Sequence, residues 1–344
     1  MAGGLKDGSR ALAKDTIAII GGETLAGREV RDVLRESGIG ASVELVAGGE
    51  QPGSLIAEEA GEPVVISDLE SSLVADASVM VLCGSAESSR RALEHVRGRR
   101  PAPALVDVSG WLEDEPSARL RAPVLEPAGA QGSEGIQVIA HPAAIALALF
   151  LTKLAEVQAL RQVVAVVFEP ASERGQRGLD ELQKQTVNLF AFKPLPKAVF
   201  DAQVSFNMLP AWGADAVQSL ADVELRIERH LASLLGPGSS VPMPSLHLVQ
   251  APVFHGYSFS LWVLFDAPAE PDRIAAELTS VNIDVRSGDQ EPPTSAGIAG
   301  QSGIVVGSMM KDRNQPQACW FWMAADNLRM SADNCVEVIR EVAG

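Results

Sequence analysis

Short apolar runs rich in β-branched residues recur through the first 140 residues, and segments with helical spacing lie between them. The runs are Thr16–Ile20, Val43–Ala47, Val64–Ile66, Val79–Leu82, Leu105–Val108 and Ile136–Ala140. After the first run, Leu25, Val30 and Leu34 fall on one face of a predicted helix. Strands that alternate with helices predict an α/β fold built on a Rossmann-like, doubly wound parallel sheet.

The pattern changes after residue 160. Strands are predicted at Val163–Glu169, Leu246–Phe254, Phe259–Phe265 and Ala318–Met323, and helices at Leu179–Leu189, Asp215–Leu235 and Asp326–Val342. The two middle strands alternate or are continuously apolar, which suits an open sheet with one exposed or partner-covered face. This half is therefore predicted to be an α+β region.

Two segments lack a regular pattern. Glu113–Gly135 and Asp289–Gly303 are punctuated by Gly, Pro and Ser, and they predict irregular surface segments. The longest uncharged run, Gly135–Thr152, falls short of the roughly 20 residues that span a bilayer. A buried strand followed by a buried helix explains that run better.

Composition limits the classes of partner. The 344 residues are 47% hydrophobic, which is enough for two compact domains. The net charge of −16 disfavours nucleic acid and anionic membranes, because phosphate binding requires clustered Lys and Arg. Met1–Lys14 lacks the apolar core of a signal peptide. Cys83, Cys319 and Cys335 show no metal-ligand spacing, so no metal site is expected. Their odd number and the lack of a signal suit a reducing cytosol, so we expect a cytoplasmic protein.

A glycine-containing turn follows the first predicted strand. Such a turn lets backbone N–H groups and a helix N-terminus face a pyrophosphate. The candidate cofactor-binding residues there are Gly21, Glu23, Thr24, Leu25, Ala26 and Gly27. Gly21 and Gly27 could equally serve a tight turn and close helix packing, so the turn alone does not decide between these functions.

More specific motifs lie elsewhere along the chain. Ala325–Asn334 reads ADNLRMSADN, Glu181–Thr186 reads ELQKQT, Phe190–Phe192 reads FAF, Asp107–Gly110 reads DVSG, His141–Ala144 reads HPAA and Gly256–Ser258 reads GYS. These segments resemble, in the same order, the ADNLRKGAA-N, EL--QT, FAF, DNSS, NPNC and GHS motifs of aspartate-semialdehyde dehydrogenases. The resemblance extends from Ile17 to Val338, nearly the whole chain.

The resemblance implies a split domain plan. Residues 15–143 plus 325–344 would form the Rossmann dinucleotide-binding domain, and residues 144–324 the catalytic and dimerisation domain with its open mixed sheet. NAD or NADP would be the cofactor. A homodimer is expected across the open sheet, with Trp262 and Phe265 near the contact, and pairing with a related subunit is an alternative.

The resemblance also implies that the catalytic residues are missing. Ala144 stands where the family has its cysteine nucleophile, and Tyr257 where it has its acid/base histidine. A phenol with a pKa near ~10 suits proton transfer poorly at neutral pH. Glu169 replaces the glutamine beside the thiol, and Gln250 replaces the arginine that grips the substrate carboxylate.

The phosphate-binding residues of the family are also not found. Its arginine would fall near Leu112 or Glu113, and its helix lysine is absent. Arg226 and Arg229 are the nearest substitutes, and a solvated helix face is the simpler interpretation of both.

The cofactor residues are only partly retained. Thr24 replaces a glycine that lets the backbone approach the phosphates, whereas Ser172 and Asn327 match cofactor contacts of the family. The loop after the second strand carries Glu50 and no cation. Glu50 would repel a 2′-phosphate and could accept a hydrogen bond from a ribose hydroxyl, which favours NAD, or it is a plain solvated carboxylate.

Three functional hypotheses follow. The first is a pseudoenzyme that keeps the dehydrogenase scaffold but does not catalyse the reaction. Its function would be dimerisation, pairing with another subunit or binding of a nucleotide. The second is an NAD(P)-dependent oxidoreductase with altered chemistry, in which Glu169 or Tyr257 moves the proton. The third, least favoured, is a semialdehyde dehydrogenase that uses Cys83 or another group as nucleophile.

Overall fold

The computed structural model describes residues 16–48, 55–59, 62–69, 76–127, 135–288 and 290–343. The first part of the chain forms β1 (Thr16–Ile20), α1 (Leu25–Glu36), β2 (Ser42–Val46), β3 (Leu55–Glu59), β4 (Glu62–Ile66), β5 (Ala77–Leu82), α2 (Ala86–Val96), β6 (Ala104–Asp107), β7 (Ala118–Arg121) and β8 (Ile136–Ile139). The remainder forms α3 (Pro142–Val157), β9 (Leu160–Glu169), a 3-10 turn (Ala171–Arg174), α4 (Gly175–Phe190), α5 (Leu220–Leu235), β10 (Ser245–Gln250), β11 (Tyr257–Phe265), α6 (Pro271–Leu278), β12 (Ile283–Val285), β13 (Ile304–Lys311), β14 (Ala318–Ala325) and α7 (Asn327–Ala343).

The first sheet has six parallel strands in the order β2-β1-β5-β6-β8-β7. Its apolar strands are buried, and the C-terminal helix α7 returns to pack against α1 and the strands β5, β6 and β8. The predicted α/β class with a Rossmann-like parallel sheet is confirmed.

Two predictions about this sheet are wrong. Glu113–Gly135 is not wholly irregular, because it contains β7, which pairs in parallel with β8. The run Val64–Ile66 does not join the parallel sheet, since it belongs to β4, which forms a two-stranded antiparallel sheet with β3. The sequence of β7 does not predict a strand because two of its four residues are arginines. Arg121 is nevertheless buried, and Glu126 and Glu341 are its ion-pair partners.

The second sheet is mixed, with the order β10-β9-β11-β14-β13-β12. The outer pairs β10–β9 and β12–β13 are parallel, and the central pairs are antiparallel. Helix α3 is buried from Ala143 to Leu151 and packs against β9 and against α5, α6 and α7. The predicted α+β region with an open mixed sheet is confirmed, as is the buried strand and helix expected within Gly135–Thr152.

Burial alternates along β11, as expected for a strand with one face on the core. Tyr257, Phe259, Leu261, Val263 and Phe265 are fully buried, and the residues between them are half-exposed. Phe265 therefore cannot lie on the outer face with Trp262, since residues three apart on a strand point to opposite faces. Its predicted place at a subunit contact is wrong.

Some boundaries and elements differ from the predictions. The helix predicted from Asp215 begins at Leu220, where Ser219 caps it by accepting a hydrogen bond from the N–H of Asp222. The strand β13 and the helix α6 were not predicted. No helix within the described residues is long and apolar enough to cross a membrane.

Candidate functional site

Four strands bring the predicted catalytic positions to one edge of the mixed sheet. Glu169 ends β9 and is paired in register with Gln250 at the end of the parallel strand β10. Tyr257 begins β11, antiparallel to β9, and pairs with Ala325 at the end of β14. The N-terminus of α3 faces this edge, with the ring of His141 centred 6.1 Å from that of Tyr257.

Ala144 lies in the first turn of α3 and is fully buried, as is Ala143. His141 caps the helix, because its Nδ1 accepts a hydrogen bond from the N–H of Ala143 at 3.3 Å. A methyl group at position 144 offers no nucleophile for a covalent intermediate.

Glu169 is a buried carboxyl group without hydrogen bonds. Its side chain is 0% exposed, and neither oxygen has a hydrogen-bond partner among the described residues. Arg174 approaches it, with a terminal nitrogen 3.3 Å from Oε1. Burial raises the pKa of Glu169 to about 8, which Arg174 only partly offsets and Glu173 reinforces. The carboxyl is therefore mostly protonated at neutral pH.

Tyr257 is fully buried beside this group. Within the described part of the chain, its hydroxyl has no hydrogen-bond partner. Burial raises the pKa of the phenol well above its usual value, and the carboxylates of Glu173 and Glu169 raise it further. A phenol whose pKa lies so far above neutral pH is poorly suited to transfer protons in catalysis.

Gln250 is held by the protein itself. Its amide nitrogen donates to the carbonyl oxygens of Glu169 and Ala251 at 2.9 and 3.0 Å, and its amide oxygen accepts from the indole of Trp212 at 3.2 Å. The side chain thus links the ends of β9 and β10 to Trp212. Both N–H donors of its amide are engaged, so neither is available to a substrate carboxylate.

Glu173 and Arg174 join the site although the sequence analysis did not select them. Arg174 lies over the ring of Trp212, 5.1 Å from its centre, and donates to Gln218. Glu173 accepts from Asn327 at 2.8 Å and lies 3.8 Å from Nε2 of His141. Burial raises the pKa of Glu173 and lowers that of His141. The sequence does contain a signal for these two residues, because they are consecutive charges that directly follow Ser172 and lie shortly after a predicted strand.

The two positions that the resemblance assigns to cofactor contacts, Ser172 and Asn327, are hydrogen-bonded to each other. The hydroxyl of Ser172 donates to the amide oxygen of Asn327 at 3.2 Å, and that oxygen also accepts from the N–H of Gly256 at 3.1 Å. Both side chains are buried. Their hydrogen-bonding groups are engaged within the protein.

The glycine turn between β1 and α1 is tightly packed. Gly21 has a φ of +88°, and a Cβ at Gly27 would overlap the carbonyl oxygen of Gly21, so both positions require glycine. Thr24 caps α1 by accepting from the N–H of Gly27 at 3.0 Å, and Leu25 and Ala26 are the first residues of the helix. One donor at the helix N-terminus is thereby engaged.

Glu23 adds a negative charge to this turn. Its carboxylate accepts from the N–H of Gly48, at 2.9 Å to one oxygen and 3.2 Å to the other. Gly48 follows β2, at the start of the loop in which the cofactor preference was predicted. Glu50, the residue on which that prediction depends, lies outside the described residues.

Cys83 follows β5 beneath the same turn, where its carbonyl oxygen accepts from Thr24. The thiol is buried, and burial raises its pKa well above the usual value. Nucleophilic cysteines require a thiolate, which this environment disfavours.

Arg226 is partly buried, contrary to the sequence interpretation, whereas Arg229 lies on the solvated face of the helix as expected. Both bind the carboxylate of Glu113, and His230 binds it as well. Burial opposes ionisation of Glu113, but the hydrogen bond from His230 and the charge of Arg226 outweigh it and lower the pKa to about 2.

The comparisons with known proteins agree with this architecture. Residues 151–330, slightly more than half of the chain, match the family described as semialdehyde dehydrogenase, dimerisation domain. The chain is 27% identical to a USG-1 protein homologue of Pseudomonas aeruginosa over 323 residues, which are 92% of this chain and 94% of the relative. It is 24% identical to an aspartate-semialdehyde dehydrogenase of Rickettsia bellii over 96% of this chain and 98% of that one.

Solved structures share the fold. A probable aspartate-semialdehyde dehydrogenase from Pseudomonas aeruginosa superposes with a TM-score of 0.82 at 25% identity, covering 95% of this chain and 98% of that one. The Candida albicans aspartate-semialdehyde dehydrogenase with NADP superposes with a TM-score of 0.61 at 13% identity, covering 95% and 98%. Because the family model matches more than half of the chain, the chain belongs to the semialdehyde dehydrogenase family, and its relatives include aspartate-semialdehyde dehydrogenases and USG-1 homologues.

Proposed function

We propose that this chain is a non-catalytic member of the family, which keeps the dehydrogenase scaffold but lacks the phosphorylating aldehyde dehydrogenase reaction. The observation that carries the proposal is Ala144, a fully buried methyl side chain at the position that the motif resemblance assigns to the nucleophile. Removal of the nucleophile from another covalent enzyme costs on the order of 10⁶ in kcat.

The neighbouring groups support the same proposal. Gln250 is bonded to the backbone and to Trp212, so it offers no cationic clamp. Tyr257 replaces the acid/base histidine with a phenol of raised pKa. Cys83, the alternative nucleophile of the third hypothesis, is buried with a raised pKa. Three separate parts of the family chemistry are therefore missing together.

Intact-mass measurement tests the missing nucleophile directly. The purified protein is incubated with aspartate semialdehyde and oxidised cofactor without phosphate, so that an acyl-enzyme cannot be released by phosphorolysis. We expect an unchanged mass. An acyl adduct on Cys83 or any other residue would refute the proposal and identify the group that forms it.

A second candidate is an NAD(P)-dependent oxidoreductase with altered chemistry on an aldehyde or oxo group. Glu169 favours it, because a buried carboxyl with a pKa of about 8 titrates near the working pH of a general acid or base. Cofactor reduction by aldehydes or alcohols that is abolished in Glu169→Gln, with no adduct in the mass measurement, would select this candidate.

Assembly and cofactor use belong to the same proposal. The match to a dimerisation domain supports a homodimer across the mixed sheet, with pairing to a related subunit as the alternative. If a dinucleotide binds, NAD is preferred to NADP, because Glu23 already places a carboxylate against the loop after β2. No nucleic-acid or membrane partner is proposed, given the net charge of −16.

A further inference from the structure

Exposed apolar side chains are concentrated at the C-terminal end of helix α4. Val187, Phe190, Phe192 and Phe206 are between 59% and 98% exposed, and Phe192 is the most exposed of the four. Val187 lies one turn before Phe190 on the same helix face, and the rings of Phe190 and Phe206 meet edge to face with their centres 5.8 Å apart. These four residues form the α4 patch. Single exposed apolar residues are ordinary on a protein surface, whereas a group of aromatic rings marks an interaction site.

Two of these aromatic residues have a backbone conformation that residues with a side chain rarely adopt. Helix α4 ends in a Schellman motif, in which the N–H groups of Phe192 and Lys193 donate to the carbonyl oxygens of Leu189 and Asn188. Glycine is the usual residue at the left-handed position of this motif, but here Phe192 occupies it with a φ of +54°. Phe206 has a φ of +62°. The fold thus tolerates backbone strain at two rings that it does not bury, which indicates a function for them outside the core of this chain.

The patch is anchored to the body of the protein. Two buried side chains of α4, Glu181 and Gln185, bind the backbone of the segment that follows the helix. Glu181 accepts from the N–H groups of residues 199 and 200 at 2.8 and 3.2 Å, and Gln185 bonds to four backbone groups within residues 196–205. These bonds fold the segment back onto α4, next to the contact between Phe206 and Phe190. The exposed rings are therefore positioned before a partner binds, which lowers the entropic cost of binding.

Lysines accompany the patch in an otherwise acidic protein. Three of the seven lysines of the chain, Lys184, Lys193 and Lys197, lie in this segment, and all three are exposed. Asp201 is the only acidic residue between positions 182 and 214. In the described part of the chain, none of the three lysines takes part in an ion pair. The patch thus combines aromatic surface with available positive charge, although the chain as a whole has a net charge of −16.

This charge distinguishes between possible occupants. A second copy that met the patch across a two-fold axis would bring two sets of three ammonium groups together, and such like-charge contacts are unfavourable. A bilayer or a nucleic acid extends beyond the patch, where it would face the acidic remainder of the chain. A short acidic segment of another protein meets neither difficulty.

We propose that the α4 patch binds an acidic amphipathic segment of a partner protein, whose apolar side chains cover the exposed rings while its Asp and Glu side chains pair with Lys184, Lys193 and Lys197. Aromatic side chains are enriched in protein interfaces, and an amphipathic helix presents apolar and charged groups side by side. This inference goes beyond the proposed function, because it depends on the surface of α4 and not on the missing catalytic groups.

Fluorescence anisotropy with two labelled peptides of about 18 residues tests the proposal on the full-length protein. Both peptides have the same leucine stripe at helical spacing, and the polar face is glutamate in one and lysine in the other. We expect the glutamate peptide to bind wild type at least about tenfold more tightly than the lysine peptide. Phe192→Ser with Phe206→Ser, and separately Lys193→Gln with Lys197→Gln, should each weaken binding of the glutamate peptide about tenfold. Val281→Ser, at another exposed apolar position, is the control and should bind it as wild type does.

Thermal unfolding of Phe192→Gly separates partner binding from a structural role. Because glycine suits the left-handed position, we expect this variant to melt about 2 °C above wild type, while its affinity for the glutamate peptide falls. A Phe192→Gly protein that melts below wild type would show that the ring stabilises the fold of this chain, and the proposal would then be wrong.

Three further results would overturn the proposal. One is binding of neither peptide, or equal binding of both, to wild type. Another is a change from dimer to monomer in Phe192→Ser by light scattering, which would assign the patch to a second copy of the chain. The third is sedimentation with vesicles that contain phosphatidylserine, if Phe192→Ser abolishes it, since the patch would then bind a membrane.

Discussion

At the residue scale, Glu169 combines complete burial with the absence of hydrogen bonds, which makes it a source of instability at neutral pH. Its pKa is about 8 in the folded protein against 4.5 as reference. Between these values the unfolded chain releases this proton while the folded protein keeps it. The free energy of unfolding therefore falls as pH rises through this window, by up to about 1.4 kcal/mol per pH unit from this group.

Glu169→Gln should remove that dependence. We expect the stability of the variant relative to wild type to rise steadily from pH 5 to pH 8, by about 3 kcal/mol over that range. Urea unfolding at several pH values measures the difference. Glu156→Gln, a substitution on the exposed surface of α3, is the control and should follow wild type. Parallel curves for Glu169→Gln and wild type would contradict a protonated carboxyl at this site.

Residue identities at the sheet edge could be predicted from motif order, but their contacts could not. The motifs placed Glu169, Gln250 and Tyr257 at corresponding positions, and the strands bring them together. The resemblance assigns the position near Glu113 and helix α5 to one phosphate site of the family, but the ion pair itself could not be predicted, since residues more than a hundred positions apart leave no periodic pattern. The bonds that engage Gln250 also depend on Trp212, which lies in irregular chain.

At the element scale, strongly apolar strands were predictable and polar ones were not. Strand β1 has the predicted bounds, and α7 begins within one residue of its predicted start. Strand β7, with the sequence ARLR, shows no apolar run. Its Arg121 can be buried because Glu341, from the C-terminal helix, neutralises the charge. The error at Phe265 was avoidable, because the strand period of two separates it from Trp262.

The turn between β1 and α1 makes a prediction about cofactor preference. Glu23 holds its carboxylate against the N–H of Gly48, and a 2′-phosphate would add negative charge close by. Titration calorimetry should give NAD as the tighter ligand, and Glu23→Gln should reduce the ratio of the two affinities. Tighter binding of NADP to wild type would contradict the electrostatic argument. If neither dinucleotide binds, the turn serves only packing.

At the scale of the whole molecule, the outer face of the mixed sheet bears a row of apolar side chains. Val164, Trp262, Trp320 and Met310 are direct neighbours across β9, β11, β14 and β13. Met310 and Trp320 are exposed in the single chain. An exposed apolar row of this kind marks an interaction surface, so we predict that two subunits meet here across a two-fold axis.

Light scattering checks the assembly against the chain mass of 36.3 kDa. We expect twice that mass for wild type and a shift toward the single-chain mass for Trp320→Glu. Val281→Glu, at a highly exposed apolar position in the turn before β12, should stay dimeric. Phe192→Glu probes a second exposed aromatic cluster at the end of α4. If Phe192→Glu is monomeric and Trp320→Glu remains dimeric, the subunit contact lies at the end of α4 and not on the sheet face.

The central claim, that the family reaction is absent, is tested most directly by cofactor reduction with aspartate semialdehyde and phosphate, measured for the wild type and for Ala144→Cys. We predict no burst and no steady turnover for either protein, because a restored thiol would still lack the carboxylate clamp and the acid/base group, and such groups act as a unit. Wild-type turnover above about 1 s⁻¹, in the range of ordinary enzymes, would contradict the account.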